Sequence, residues 1–134
     1  MPNFTPKSEG QHAGEFILSE FPVGALSRES GTVASGQNLV DGQVVQLSGD
    51  KLVAKDSNLD TEGNLVTAPE GIVIGNWNAS STGPYGATDL TKVPYIKRLA
   101  EVKDDLVTWE SGSGAEDAVK AALAADYVIP RDTI

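Results

Sequence analysis

Hydrophobic positions along this chain fall in short runs broken by Gly, Pro, Asn and Asp, the pattern of strands and turns, and one segment alone repeats at the helical period. Residues 1–14 show little periodic hydrophobicity, with Phe4 their one sizeable apolar side chain, and predict an N-terminal arm. Residues 15–134 then read as a single β-rich unit. Its first strand is Glu15-Phe-Ile-Leu-Ser-Glu20, which Pro22 ends or confines to an edge. The run Ser30 to Val45 holds Gly31, Gly36 and an Asp41-Gly42 turn signal between short β-branched stretches, and no side chain suited to chemistry. Gln43–Leu47 and Leu52–Lys55 flank Ser48-Gly49-Asp50, a hairpin signal. Asp56–Pro69 predicts a loop, and Gly71-Ile-Val-Ile-Gly75, too short for a helix and β-branched, predicts a buried strand.

Asn76–Asp89, around Trp77 and Tyr85, predicts a second long loop. Val93–Ile96 and Leu99–Val102 predict one long strand or two paired ones, and Leu106–Trp109 a further short strand. The one helix is announced by Ser113 and Glu116 in capping-box spacing. Ala115, Ala118, Val119, Ala122 and Leu123 then make one apolar stripe, and Glu116 and Lys120 an i, i+4 pair. Tyr127-Val-Ile129 predicts a last strand, stopped by Pro130. The expected fold is mainly β, with one short C-terminal helix and long loops.

Composition sharpens this picture in three places. Apolar residues are 40% of the 134 but aromatics only 6%, so the core must come from Val, Leu, Ile and Ala. Ten basic against nineteen acidic residues give a formal charge of −9, which disfavours nucleic acid and anionic membranes as partners and suits a basic one. The absence of cysteine excludes disulfides and thiolate metal sites. Lacking an apolar span or a signal-peptide core, the chain is expected to be made in the cytoplasm, which leaves the glycosylation-type tripeptides at Asn3 and Asn78 without meaning.

The search for chemistry returns little. His12 is the sole histidine and sits in the expected arm, so no triad or histidine-rich metal site can be built. Asp56, Asn58, Asp60 and Glu62 place oxygens at alternate positions, but Thr61 and Thr67 stand where a calcium loop needs glycine and a bidentate acid. Gly112-Ser-Gly114 before the helix is followed by Asp117, whose carboxylate would repel a pyrophosphate. Gly31 and Gly36 have phosphate-loop spacing, yet Gln37-Asn38 replaces the Lys-Ser/Thr pair. Asp104-Asp105 reads as a solvated pair. No catalytic set, cofactor or metal site is expected. One alternative has a mechanism: Lys51 beside the hairpin is similar to the modified lysine of lipoyl or biotinyl carrier domains, although the two-fold internal similarity of those domains is missing. A secreted adhesion module suits the β-rich composition but not the missing export signal.

Six pieces in order carry a stronger likeness. Gly31-Thr-Val-Ala-Ser-Gly-Gln-Asn-Leu39 and then Asp41-Gly-Gln-Val-Val45 closely resemble the segment opening the folded domain of the head decoration proteins of lambda-like tailed bacteriophages. Lys51-Leu-Val-Ala54, Glu70-Gly-Ile-Val-Ile-Gly75, Val93 to Val102 with Asp105-Leu-Val-Thr-Trp109, and the alanine-rich helix with Tyr127-Val-Ile-Pro-Arg131 complete a resemblance over about residues 14–131. The polar stretch Asn76–Asp89 departs from it. The resemblance implies a small β-clip-like fold and a non-enzymatic cement on the outer capsid surface of the virion, bound as homotrimers to the major capsid protein of the expanded head. It also implies an N-terminal arm that docks on the shell, assigned here to Pro2, Asn3, Phe4, Thr5, Pro6 and Lys7, with Phe4 as apolar anchor. Trp77, beside a long loop, is the second candidate contact, whereas Trp109, at a strand end before the helix, is expected in the core.

Overall fold

The computed structural model describes residues 12–20 and 26–132, and within them the chain is mainly β, with one short helix. Strands β2 (Arg28–Val33), β5 (Lys51–Ala54), β4 (Val44–Ser48), β6 (Gly71–Val73) and β8 (Leu90–Ile96) close a barrel in that order. A three-stranded sheet has β9 (Ala100–Lys103) between β1 (Ile17–Glu20) and β10 (Val128–Arg131). The two-stranded pair β3 (Asn38–Leu39) and β7 (Trp77–Asn78) is antiparallel, and helix α1 runs from Glu116 to Ala125.

Local chemistry explains several of these elements. Ser48 faces Lys51 across the β4–β5 hairpin, and both intervening residues, Gly49 and Asp50, have positive φ (56° and 68°), as a two-residue turn matching strand twist requires. The run Gly71–Ile74 is apolar at every position because β6 is covered on both faces. Ile72 packs outward and Val73 inward; β4 splits Val44 from Val45 and β8 splits Ile96 from Tyr95 in the same way. The barrel interior therefore holds Val33, Leu39, Val45, Leu52, Val73 and Tyr95. A second core, between the barrel wall, the three-stranded sheet and α1, holds Phe16, Val44, Ile72, Trp109, Leu123 and Val128 among others. Trp109 is buried there as expected, and Lys120 lies 5.1 Å from its ring centroid while reaching Asp104 at 2.8 Å and Glu116 at 3.3 Å.

Five sequence expectations need correction. Val93–Ile96 and Leu99–Val102 neither continue nor pair with each other: the chain leaves the barrel at Lys97–Leu99, where Leu99 has φ 55°, and β9 enters the other sheet. Leu106–Trp109 is not a strand; a 3₁₀ turn, Asp104–Leu106, precedes an extended piece with a single bridge from Thr108 to Gln43. The capping box does not form, because α1 begins at Glu116 with Ala115 at its N-cap and no side-chain cap. Glu116 and Asp117 lie in the first turn instead, where they complement the helix dipole. Pro130 does not stop the last strand: β10 pairs in parallel with β9 through Pro130 to Arg131, and an edge strand tolerates the missing donor. The opening of the Asn76–Asp89 loop is strand β7, tied to the other side by Gly36 N–H to Ala79 O at 2.8 Å and Ala79 N–H to Gln37 O at 2.7 Å.

Two polar contacts and one glycine set testable consequences. A methyl on Gly71 would overlap the Ile96 carbonyl oxygen and come within 2.7 Å of Tyr95 Cδ2, backbone and core that cannot yield. Gly71→Ala should destabilise by about 3 kcal/mol, read as a lowered urea midpoint. Tyr95, buried, donates its hydroxyl to Glu70 Oε1 at 2.8 Å, an oxygen that also accepts Lys97 Nζ at 2.8 Å. Burial first, and then the hydrogen bond to Glu70, push the phenol well above its ordinary 10.0. A raised folded-state value means the contribution is complete below the unfolded pKa and disappears as pH climbs through it toward the folded one. Tyr95→Phe should cost about 1 kcal/mol at neutral pH and flatten the fall of stability above pH ~10, measured by denaturant titrations across that range.

Candidate functional site

Of the residues expected to form the docking arm, Pro2, Asn3, Phe4, Thr5, Pro6 and Lys7 lie outside the described residues. The point where that segment meets the fold is described, and it is firmly held. His12 N–H donates to the Glu15 carboxylate at 2.9 Å, and Glu15 N–H returns to the His12 carbonyl at 3.0 Å. Gly14, at φ 77°, donates its N–H to Asp41 Oδ1 at 2.8 Å, across 27 positions of sequence. The same oxygen accepts Gly75 N–H at 2.7 Å, and Asp41 N–H donates to Asn76 Oδ1 at 2.9 Å.

Trp77 follows directly on this cluster. Its indole N–H donates to the Ile74 carbonyl at 2.8 Å, its ring packs on the barrel core, and the side chain is half-buried. A Cβ placed on Gly75 would lie 3.2 Å from Trp77 Nε1 and 4.0 Å from the Ala13 methyl, so Ala13, at the end of the expected arm, and Trp77 meet at this corner. Spacing along the chain could not have revealed that convergence, since residues 14, 41 and 75 belong to separate segments.

Lys51 is exposed and ion-paired. It stands opposite Ser48 at the base of the turn, and its Nζ pairs with Asp89 Oδ2 at 2.7 Å, while Asp89 Oδ1 accepts Ser35 N–H at 2.8 Å. The Lys51 hydrogen bond, with the Ser35 N–H behind it, holds the Asp89 carboxyl below the ordinary carboxylate range. The Asp56–Glu62 stretch likewise spends its oxygens internally. Asp60 Oδ1 accepts the N–H groups of Glu62 and Asn64, each at 2.9 Å, and Asp56 Oδ1 accepts Asn58 N–H at 3.1 Å. Among the described residues no group of His, Cys, Asp and Glu is drawn together so as to hold a metal ion.

Sequence reasoning missed an apolar groove of about 410 Å³ at one end of the three-stranded sheet, lined by Leu99, Ala100, Tyr127 and Ile129 beside Glu20. Tyr127 is 67% exposed, although Tyr127-Val-Ile reads as an ordinary strand. Leu99, between β8 and β9, and Tyr127, between α1 and β10, both have positive φ (55° and 61°), and the left-handed conformation at Tyr127 accompanies its outward side chain.

No curated protein matches the chain significantly. The family model described as bacteriophage lambda head decoration protein D does match, over residues 6–127 of 134, from ahead of the Gly14 anchor through the barrel and α1, and the chain belongs to this family of structural proteins of the phage capsid.

Proposed function

We propose that this protein is a non-enzymatic cement that binds the outer surface of the expanded phage head as trimers and stabilises the shell against internal DNA pressure. The family match over residues 6–127 carries this reading. Residues 1–14 act as a docking arm, Pro2 to Lys7 make the contact with the major capsid protein, and residues 15–134 form one decoration domain. An extended arm can add a strand to an exposed sheet edge of the capsid protein, where backbone hydrogen bonds supply affinity and Phe4 an apolar anchor. Ordering one such arm is entropically costly, and three arms on one trimer offset that through multivalency.

Shell stabilisation then follows by mass action, because the cement binds the assembled lattice and not its separated subunits. Preference for expanded heads arises when the three contact patches come to the right spacing only after expansion. Trp77, at the corner where the arm leaves the fold, is the second contact. The charge of −9 suits a basic capsid patch and disfavours nucleic acid or membrane as a partner.

Co-sedimentation with cognate capsids tests the reading. The full chain should pellet with expanded shells, saturating at roughly one copy per capsid subunit, and stay in solution with unexpanded ones. Deleting residues 1–11 should leave circular dichroism and thermal midpoint unchanged and remove it from the pellet; full-strength binding by the truncated chain would refute the arm assignment.

A further inference from the structure

We propose that Asp41 is a positioning residue for capsid docking, its carboxylate fixing the direction in which the N-terminal arm leaves the fold. The inference rests on the arm reading above. Asp41 is 6% exposed and sits in the turn between β3 and β4, immediately before Gly42, whose N–H donates to Val73 O at 3.0 Å. From there one oxygen, Oδ1, gathers two N–H groups that lie far apart in sequence, Gly14 at 2.8 Å and Gly75 at 2.7 Å. Both are short bonds to a carboxylate oxygen, and such charge-assisted bonds are about twice the strength of neutral ones.

The Gly14 end is built for a change of course. Gly14 has φ 77°, a conformation open to glycine and strained for other residues, and its carbonyl accepts Ile17 N–H at 3.0 Å at the start of β1. Within the described residues, the Asp41 bond ties Gly14, just ahead of β1, to the β3–β4 turn. On the other side Asp41 holds the β6–β7 turn through Gly75 and Asn76, and Trp77 opens β7 directly after that turn. One carboxylate thus fixes the arm root relative to Trp77. Presetting the exit direction lowers the ordering cost of docking and raises the effective concentration of each arm at its capsid site.

Two substitutions approach the clamp from opposite ends. Asp41→Ala removes the acceptor, whereas Gly14→Ala leaves Asp41 and its bond to Gly75 in place and strains only the arm root. There is room for that methyl, with Ile17 Cδ1 at 3.6 Å and Ile74 Cγ2 at 3.7 Å, so its effect is one of backbone direction and not of a clash. Shell affinity and thermal midpoint should be measured for both, with Asp41→Asn, which keeps an oxygen at the Oδ1 position, as the conservative variant. Asp41→Ala and Gly14→Ala should each weaken binding to expanded shells about tenfold, while Asp41→Asn stays within about threefold of the parent.

Should Asp41→Ala fail to fold, Gly14→Ala decides the matter alone. Folded variants that bind as tightly as the parent would overturn the proposal, as would a loss in Asp41→Ala that follows its thermal midpoint while Gly14→Ala binds normally. Full binding by the chain lacking residues 1–11 would instead remove the arm reading on which the proposal stands.

Discussion

The fold hangs on a wall of three strands that share segments buried on both faces. β4, β6 and β8 form the wall common to the barrel interior and to the core beneath α1, and each delivers consecutive residues to opposite sides: Val44 and Val45, Ile72 and Val73, Ile96 and Tyr95. Side-chain alternation along a strand makes this sharing possible. With few aromatics available, aliphatic side chains fill most of both cores around Phe16, Trp109 and Tyr95, each fully buried Val, Leu or Ile contributing about 1.5–3 kcal/mol of transfer free energy. The wall also explains why Gly71 has no space for a methyl group: β6 and β8 approach so closely that the Ile96 carbonyl occupies it.

A strongly acidic chain must keep its few cations well placed, and here they are used to tie segments together. Lys55 is fully buried, its Nζ 3.0 Å from the Asp56 carbonyl and 3.4 Å from Asp56 Oδ1. Gln46 supports the same carboxylate by donating to Oδ2 at 2.9 Å, and that bond foremost holds the Asp56 carboxyl below its ordinary range. Arg28 grips Glu20 through Nε and Nη2, and Ser27 adds its hydroxyl, so the end of β1 is pinned to the start of β2 and the Glu20 carboxyl is likewise held low, chiefly by Arg28. Burying Lys55 and the Glu20 carboxylate is tolerable because each meets an opposite charge and further hydrogen bonds.

The corner formed by Gly14, Asp41 and Gly75 belongs to a different economy. It adds little apolar burial, yet it joins the N-terminal segment, the β3–β4 turn and the β6–β7 turn through a single carboxylate. Trp77, half in the core and hydrogen-bonded to Ile74, stiffens the same corner.

Patterns confined to neighbouring residues were legible without the structure. Ser48-Gly-Asp specified the hairpin because its turn geometry is local, the continuous Gly71–Ile74 run declared burial on both sides, and the 3.6-residue stripe located α1, since Val119 and Leu123 must face one core. The ordered run of glycine-punctuated pieces likewise identified the family. Where the outcome depended on which distant segment supplied a partner, the sequence was silent. Whether Val93–Ile96 and Leu99–Val102 pair and whether Pro130 ends a strand were both settled by neighbours brought in from elsewhere. The barrel closure and the Asp41 clamp are of the same kind: hydrogen bonds and packing between residues tens of positions apart leave no periodic trace in the chain, and only the tertiary fold decides them.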